Sequence, residues 1–490
     1  MLHIIAIAVV AALLTQVTLA QSSIGSASCS PTLSASYAAP SVAEGFVARL
    51  VANNLTSPRG IKFDSQGALL VVEQEVGVTA LNLVDAGRDC LSVGSRRAVI
   101  TDSTLNHGIE ISDNGTTLYA SSSEAVYSWQ YSPMSQTNVS ESTVLINNLT
   151  GSDHVTRTLL LSKFAPGLMV VTRGSTSNLD LMAEDINTGH SQVKAFNLTN
   201  QTQTYDYNLD GLLLGWGLRN EVGVDEDPIT GGIYSVENSV DEMTREGQDI
   251  HENNPGEELN FLGYLNGTES PNQGKNFGYP ECYAAWDTSA IPDFTGTVGD
   301  QFAIGELNNT VNDTVCAQRQ APRLTFQAHM APLDILFNDA GTAAWVTFHG
   351  SWDRTDPAGY KVSVVEFANG EPVQPSNSTT GAIDIVSNQD NSKCPDGCFR
   401  PVGLAWDSQG RLFMSSDSTG EIYVILRVDG NSTQSVGSNA TGTIPGQTGS
   451  SGGGSGTSSS GSASPSLTSG ARATSMSALV FLIGFVAFLL

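Results

Sequence analysis

From Arg59 the chain reads RGIKFDSQGALLVVEQ: apolar and polar residues alternate, an Asp-x-x-Gly step follows, and a second apolar run begins. Alternation is the period of a strand, and Asp-x-x-Gly between two such runs marks a tight turn, so the segment predicts a β-hairpin. The pattern returns from His107 (HGIEISDNGTTLYASS) and from Arg400 (RPVGLAWDSQGRLFMSSDSTGEIYVI). Looser copies lie at 157–173, from Arg219 (RNEVGVDEDPITGGIYSVEN) and from Ala331 (APLDILFNDAGTAAWVTFHG). Six hairpins in the roughly 410 residues left after the two ends are set aside give about 70 residues each, within reach of a four-stranded blade once loops are counted. The expected class is all-β, a six-bladed β-propeller over residues 21–429. A pair of β-sandwiches does not explain why the copies share a polar residue at one place.

In a propeller the innermost strands converge on the axis, so residues at the start of those strands face one central funnel. Arg59, His107, Arg157, Arg219 and Arg400 hold that register and are expected to ring its mouth. The whole chain of 490 residues carries 22 Lys+Arg against 49 Asp+Glu, a net charge of -27. Such a balance argues against nucleic acid as a partner and makes a gathering of basic groups informative: their natural guest is a small polyanion.

The two ends read as processing signals. Residues 1–20 (MLHIIAIAVVAALLTQVTLA) resemble a secretory signal. Ala478–Leu490 is an apolar tail preceded by a polar spacer at 471–477, by small residues at Ser469 and Gly470, and by a Gly/Ser/Thr tract from about Gly430. That order is the pattern of a GPI-anchor signal at 471–490 behind a flexible stalk at 430–470. The chain is thus expected to be secreted and membrane-attached only through the anchor. Six cysteines remain, an even number suited to an oxidising compartment; fifteen pairings exist, and we expect Cys29–Cys90, Cys282–Cys316 and Cys394–Cys398. Twelve Asn-x-Ser/Thr triplets, among them those at Asn54, Asn114, Asn138, Asn148, Asn197 and Asn266, agree with secretion.

Five stretches, LNHGI from Leu105, GWGLRNEVG from Gly215, NFGYPEC from Asn276, FHGSWDRTDPAGYKV from Phe348 and FRPVGLAWDSQGRLF from Phe399, resemble in order and spacing the soluble quinoprotein glucose/sorbosone dehydrogenase propellers. The likeness is greater to the fungal pyranose dehydrogenases that depend on pyrroloquinoline quinone (PQQ), and it runs over about 41–427. It implies an extracellular enzyme that oxidises a pyranose or a 2-keto sugar at C1 by hydride transfer to PQQ. Electrons would pass to an external acceptor such as a copper polysaccharide oxygenase or a quinone, and the protein would act as a monomer.

PQQ carries three carboxylates and an electrophilic carbonyl on a flat ring, so its pocket needs cationic forks, a stacking face and a cation by the quinone oxygens. On the resemblance, Arg59, Arg219, Arg354, Lys361 and Arg400 supply charge, Trp352 the face, and His349 a contact to cofactor or sugar. His107 matches the family's general base, and Arg219 with Asn220 the Arg-Asn pair beside the quinone. Main-chain oxygens of Ser239 and Val240 match the Ca2+ ligands. Between Glu221 and Glu258 stand twelve Asp or Glu and one Arg; Asp241, Glu242, Glu257 and Glu258 there suit either a second, structural calcium or a solvated acidic insertion. The chain departs from the bacterial relatives in a long insertion at 241–276. Two other readings compete: a calcium-dependent propeller lactonase, which wants converging carboxylates on the axis, and a non-catalytic propeller that binds a glycan or a protein.

Overall fold

The six hairpins become six four-stranded antiparallel blades in the computed structural model, which describes residues 33–437 except 88, 89, 200, 306 and 309. Blade 1 comprises Pro58–Phe63, Leu69–Glu73, Gly77–Asp85 and Leu91–Thr101; blade 2, Leu105–Ile111, Thr117–Ser122, Val126–Ser132 and Thr143–Asn147. Blade 3 is built from Leu159–Leu161, Leu168–Arg173, Gln192–Asn197 and Leu212–Trp216, and blade 4 from Glu221–Glu226, Gly232–Glu237, Glu257–Tyr264 and Leu324–Phe326. Blade 5 holds Pro332–Phe337, Ala343–Phe348, Lys361–Ala368 and Ala382–Ser387. Blade 6 takes Pro401–Trp406, Leu412–Ser416 and Glu421–Arg427 from the end of the propeller and Phe46–Ala52 from its beginning, so a strand pair between residues far apart in sequence closes the circle. The first strands pack each against the next in a closed ring. The expected fold, a six-bladed β-propeller, is the one observed.

Period two explains the core. Along the second strand of blade 1, Leu69 and Val71 belong to the apolar cluster shared with blade 6, whereas Leu70 and Val72 belong to the cluster shared with blade 2. Each blade junction has such a cluster, so second strands are buried on both faces and read as unbroken apolar runs. The turns are made as the sequence predicts: Asp64 Oδ1 accepts from the amides of Gln66 and Ala68, with Gly67 at φ +82. Asp407 repeats the device on Gln409 and Arg411.

At the axis the blades meet backbone to backbone. A Cβ on Gly60 would lie 2.2 Å from His107 O, on Gly108 2.2 Å from Arg157 O, and on Gly403 2.5 Å from Arg59 O. Hydroxyls of second strands then bond to the carbonyl of the next blade: Ser121 to Arg157 O, Thr347 to Val402 O and Ser415 to Arg59 O. These contacts fix where each first strand begins, and therefore where Arg59, His107 and Arg400 stand.

The insertion predicted at 241–276 has different limits. Glu257–Tyr264 is the third strand of blade 4, and extra chain lies on both sides of it, at 238–256 and 265–323. Val240, Met243, Ile250, Tyr279, Tyr283 and Phe302 give these segments an apolar core of their own. The disulfide Cys282–Cys316 ties the hairpin of Cys282–Ala284 and Gln301–Ala303 to a short helix at Asp313–Cys316, and Cys394–Cys398 closes the loop before blade 6. Cys29, and with it the Cys29–Cys90 pairing, lies outside the described residues, as do the signal at 1–20, the stalk beyond 437 and the anchor signal.

Candidate active site

Two arcs of polar side chains stand where the first strands begin. The first joins blades 1, 2, 5 and 6. Arg59 donates from Nε to His107 Nδ1 at 3.3 Å and from Nη1 to Asp417 Oδ2 at 2.6 Å. His349 Nε2 meets Asp417 Oδ1 at 2.8 Å, and Arg400, over the Tyr360 ring, donates to His349 O and Gly350 O. Burial resists ionisation of Asp417, yet His349 and Arg59 outweigh it and hold the carboxyl well below its usual range. His107 is depressed by burial first and by the Arg59 charge second.

The second arc joins blades 3, 4 and 5. Arg219 is 2% exposed and donates to Asn178 Oδ1, to the carbonyls of Asn178 and Asn238, and to Asp241 Oδ2 at 2.8 Å. Asn220 is buried beside it, and its side-chain Oδ1 has no hydrogen-bond partner. Asp241, His329 and Asp353 place one ligand atom each within 4.8 Å of the others. Burial lowers the His329 pKa, but the Asp241 and Glu257 carboxylates reverse the balance and raise it. Among the described residues no hydrogen bond ends on the carbonyl oxygens of Ser239 or Val240.

His154, which the repeat pattern did not single out, belongs to this arc. Its Nδ1 lies 2.7 Å from Ser175 Oγ and 3.2 Å from Ser175 O, while that hydroxyl donates its own proton to Ser177 O. Both groups facing Nδ1 are thus acceptors, so Nδ1 carries the hydrogen and Nε2 the lone pair. Burial, then the neighbouring Arg219, pushes its pKa down to about 3, which keeps the ring neutral. A Cβ on Gly174 would meet both Asn220 Oδ1 and His154 Cβ, so the glycine lets the two side chains approach.

His107 has the opposite tautomer. An arginine Nε is always a donor, so the Nδ1 it meets must hold the lone pair and Nε2 the hydrogen. This corrects the expectation that His107 is the general base; the base-competent histidine is His154. Arg157, expected at the mouth, is 0% exposed and turns its guanidinium onto the carbonyls of Leu149, His154 and Thr156, where it shapes the loop that carries His154.

Trp352 is 63% exposed, and no ring among the described residues stacks on it. Two further expectations are corrected. Lys361 begins the third strand of blade 5, away from the ring of first strands, and pairs with Asp384 at 2.9 Å. Arg354 reaches back to Glu252 O, Asn253 Oδ1 and Asp356 O and so ties two loops together. The stretch HGSWDRTDPAGYK is contiguous in sequence but divides in space: His349 joins the first arc, Asp353 the second, and Lys361 opens the third strand of blade 5.

The acidic stretch is largely interior. Glu221, Glu237 and Glu258 converge on the Asn260 amide, whose Nδ2 lies 2.9, 3.2 and 3.1 Å from their oxygens. Burial raises Glu221 to about 8 and Glu258 to about 7. Glu257 is buried too and accepts from the amides of Ser239 and Ala331, whereas Glu242 is exposed. Neither a solvated insertion nor one shared metal site describes the whole group.

A six-bladed propeller whose mouth gathers two buried arginines, the partly buried Arg400, four histidines and an orphan amide oxygen is suited to a polar ligand with carboxylates for the arginines and a donor for Asn220 Oδ1. The chain belongs to the TrAA12-like family, whose model matches residues 40–428. It is 49% identical over 409 residues to a pyrroloquinoline quinone-dependent sugar dehydrogenase of Hypocrea jecorina (strain QM6a), covering 81% of this chain and 92% of that one. The calcium structure of the Trichoderma reesei family AA12 enzyme superposes with a TM-score of 0.79 at 49% identity, over 81% of this chain and 99% of that one. The holo form of the PQQ domain of Coprinopsis cinerea pyranose dehydrogenase gives 0.75 at 36% identity, over 81% and 99%. This chain spans 55% of the length of the whole Coprinopsis cinerea PQQ-dependent pyranose dehydrogenase.

Proposed function

We propose that this protein is a PQQ-dependent sugar dehydrogenase that oxidises a pyranose or a 2-keto sugar at C1. The observation that carries the reading is the mouth itself: Arg59, Arg219 and Arg400 stand where first strands begin, with His349 and the orphan Asn220 Oδ1 at the same end of the ring, in a chain of net charge -27. Arg59, Arg219 and Arg400 suit carboxylates, and the orphan Asn220 Oδ1, an acceptor, suits a hydroxyl of the sugar. When bound, PQQ supplies the hydride acceptor. The chain supplies the rest: His154 takes the C1 hydroxyl proton at Nε2, and Arg219 with Asn220 favours negative charge beside them. Burial is the main cause that depresses His154, and negative charge next to Arg219 offsets only the second, so the proton affinity of the ring rises in part as the reaction needs it.

Calcium is part of the proposal. The unengaged carbonyls of Ser239 and Val240 beside Asp241, His329 and Asp353 offer the oxygen-rich surroundings a hard cation prefers. We place the enzyme outside the cell, GPI-anchored and passing electrons to an external acceptor. The leader and tail patterns support this, as do two disulfides and the exposure of Asn54, Asn114, Asn138, Asn148, Asn197 and Asn266 in their glycosylation triplets. The test is reconstitution: purified protein with PQQ and calcium should reduce a dye when given pyranoses or 2-keto sugars. Absence of sugar-dependent reduction with the full panel would refute the reading.

A further inference from the structure

Asp417 follows the second strand of blade 6, in a turn that carries no chemical signature. Its two oxygens are divided between two side chains: Oδ2 takes Arg59 Nη1 at 2.6 Å and Oδ1 takes His349 Nε2 at 2.8 Å. Its side chain is 13% exposed and that of Arg59 9%, so the pair is shielded from the screening that makes surface ion pairs weak. Held there, Arg59 has Nε aimed at His107 Nδ1, and Arg59 is the only hydrogen-bond partner of that ring among the described residues.

We propose that Asp417 is a positioning residue that sets the tautomer of His107 through Arg59, so that His107 takes part as a neutral donor from Nε2 and not as a base. Arg59 alone does not dictate this: a guanidinium on a flexible stem has many rotamers, and only an anchor on Nη1 turns Nε toward His107. Asp417 also fixes His349 with its hydrogen on Nε2, because a carboxylate only accepts. One partly buried carboxylate thus determines the hydrogen positions of two imidazoles on one side of the mouth, and Ser175 sets the opposite tautomer of His154 on the other. The part His107 takes in turnover rests on the dehydrogenase reading; the tautomer and its control do not.

The experiment is nitrogen-15 NMR of the full chain labelled at histidine, with the His107 signals assigned by their loss in His107→Gln. The wild type should show His107 protonated at Nε2 and hydrogen-bonded but unprotonated at Nδ1. Asp417→Asn should move the Nδ1 signal away from its hydrogen-bonded position. Arg59→Lys, which keeps the charge but has no Nε, should move it the same way, and the double variant no further. A thermal midpoint close to wild type confirms that each variant is folded. A wild-type signal showing hydrogen on Nδ1 would overturn the proposal, as would an Asp417→Asn spectrum in which His107 is unchanged while Arg59→Lys shifts it. None of these readouts depends on PQQ or on turnover, so the proposal and the enzymatic reading can fail separately.

Discussion

At the residue scale the two histidines are told apart by what faces Nδ1. His154 faces acceptors and presents a lone pair; His107 faces an arginine and presents a hydrogen. Loss of a general base lowers turnover by about 10²–10⁴-fold. His154→Gln should therefore lose turnover on that order while still binding PQQ, with dye-coupled kcat and cofactor titration as the two measurements. His107→Gln should lose less. Equal losses in both variants would contradict the assignment. Arg59, His107 and Arg400 were legible in the sequence because they open the cleanest hairpins. His154 was not, because the first strand of blade 3 is only Leu159–Leu161 and the register there pointed to Arg157, whose guanidinium serves the loop. The readable sign was a histidine in a short polar segment, SDHVT, just ahead of that register position. Asp417 sits in DSTG, which reads as a turn and nothing more.

At the element scale the blades meet through glycine. Gly108→Ala would press a Cβ against Arg157 O and Ser121 Oγ, and backbone at an axial junction cannot yield cheaply. Overpacking of this kind costs about 1–3 kcal/mol, and chemical denaturation should show a loss in that range. Loss of the Cys282–Cys316 bridge should cost about 2–4 kcal/mol and loosen the segment at 265–323. Blade 4 also carries a titration. Glu221 and Glu258, raised by burial to about 8 and about 7, fold most readily as neutral acids. Their contribution is complete below the ordinary carboxyl pKa and is lost as pH climbs through 7 and 8. Thermal midpoints should fall from pH 5 to pH 9, and the double variant Glu221→Gln/Glu258→Gln should flatten that slope; an unchanged slope would contradict the burial argument.

At the scale of the whole molecule, periodicity carried the architecture. Six hairpins, five of them opened by an arginine or a histidine, were enough to give the blades and their common mouth. Periodicity did not reveal that Phe46–Ala52 completes blade 6, because that pairing joins strands more than 350 residues apart and leaves no local trace. Nor could it show that the stretch from His349 to Lys361 divides between the two arcs and an outer strand of blade 5, which is why Arg354 and Lys361 misled: one motif in sequence became several places in space. The acidic stretch misled for a related reason, since density of charge does not distinguish a solvated loop from a buried network around Asn260.

The central claim is that the arginine-bearing mouth of this acidic propeller holds PQQ. The most direct test is titration of the full chain with PQQ in the presence of calcium, followed by quinone absorbance, for the wild type and for Arg59→Gln and Arg400→Gln. Charge-assisted hydrogen bonds contribute about 1.5–3 kcal/mol each. The account predicts one PQQ per chain and about 10–100-fold weaker binding in each variant; no binding by the wild type, or equal binding by all three proteins, would contradict it.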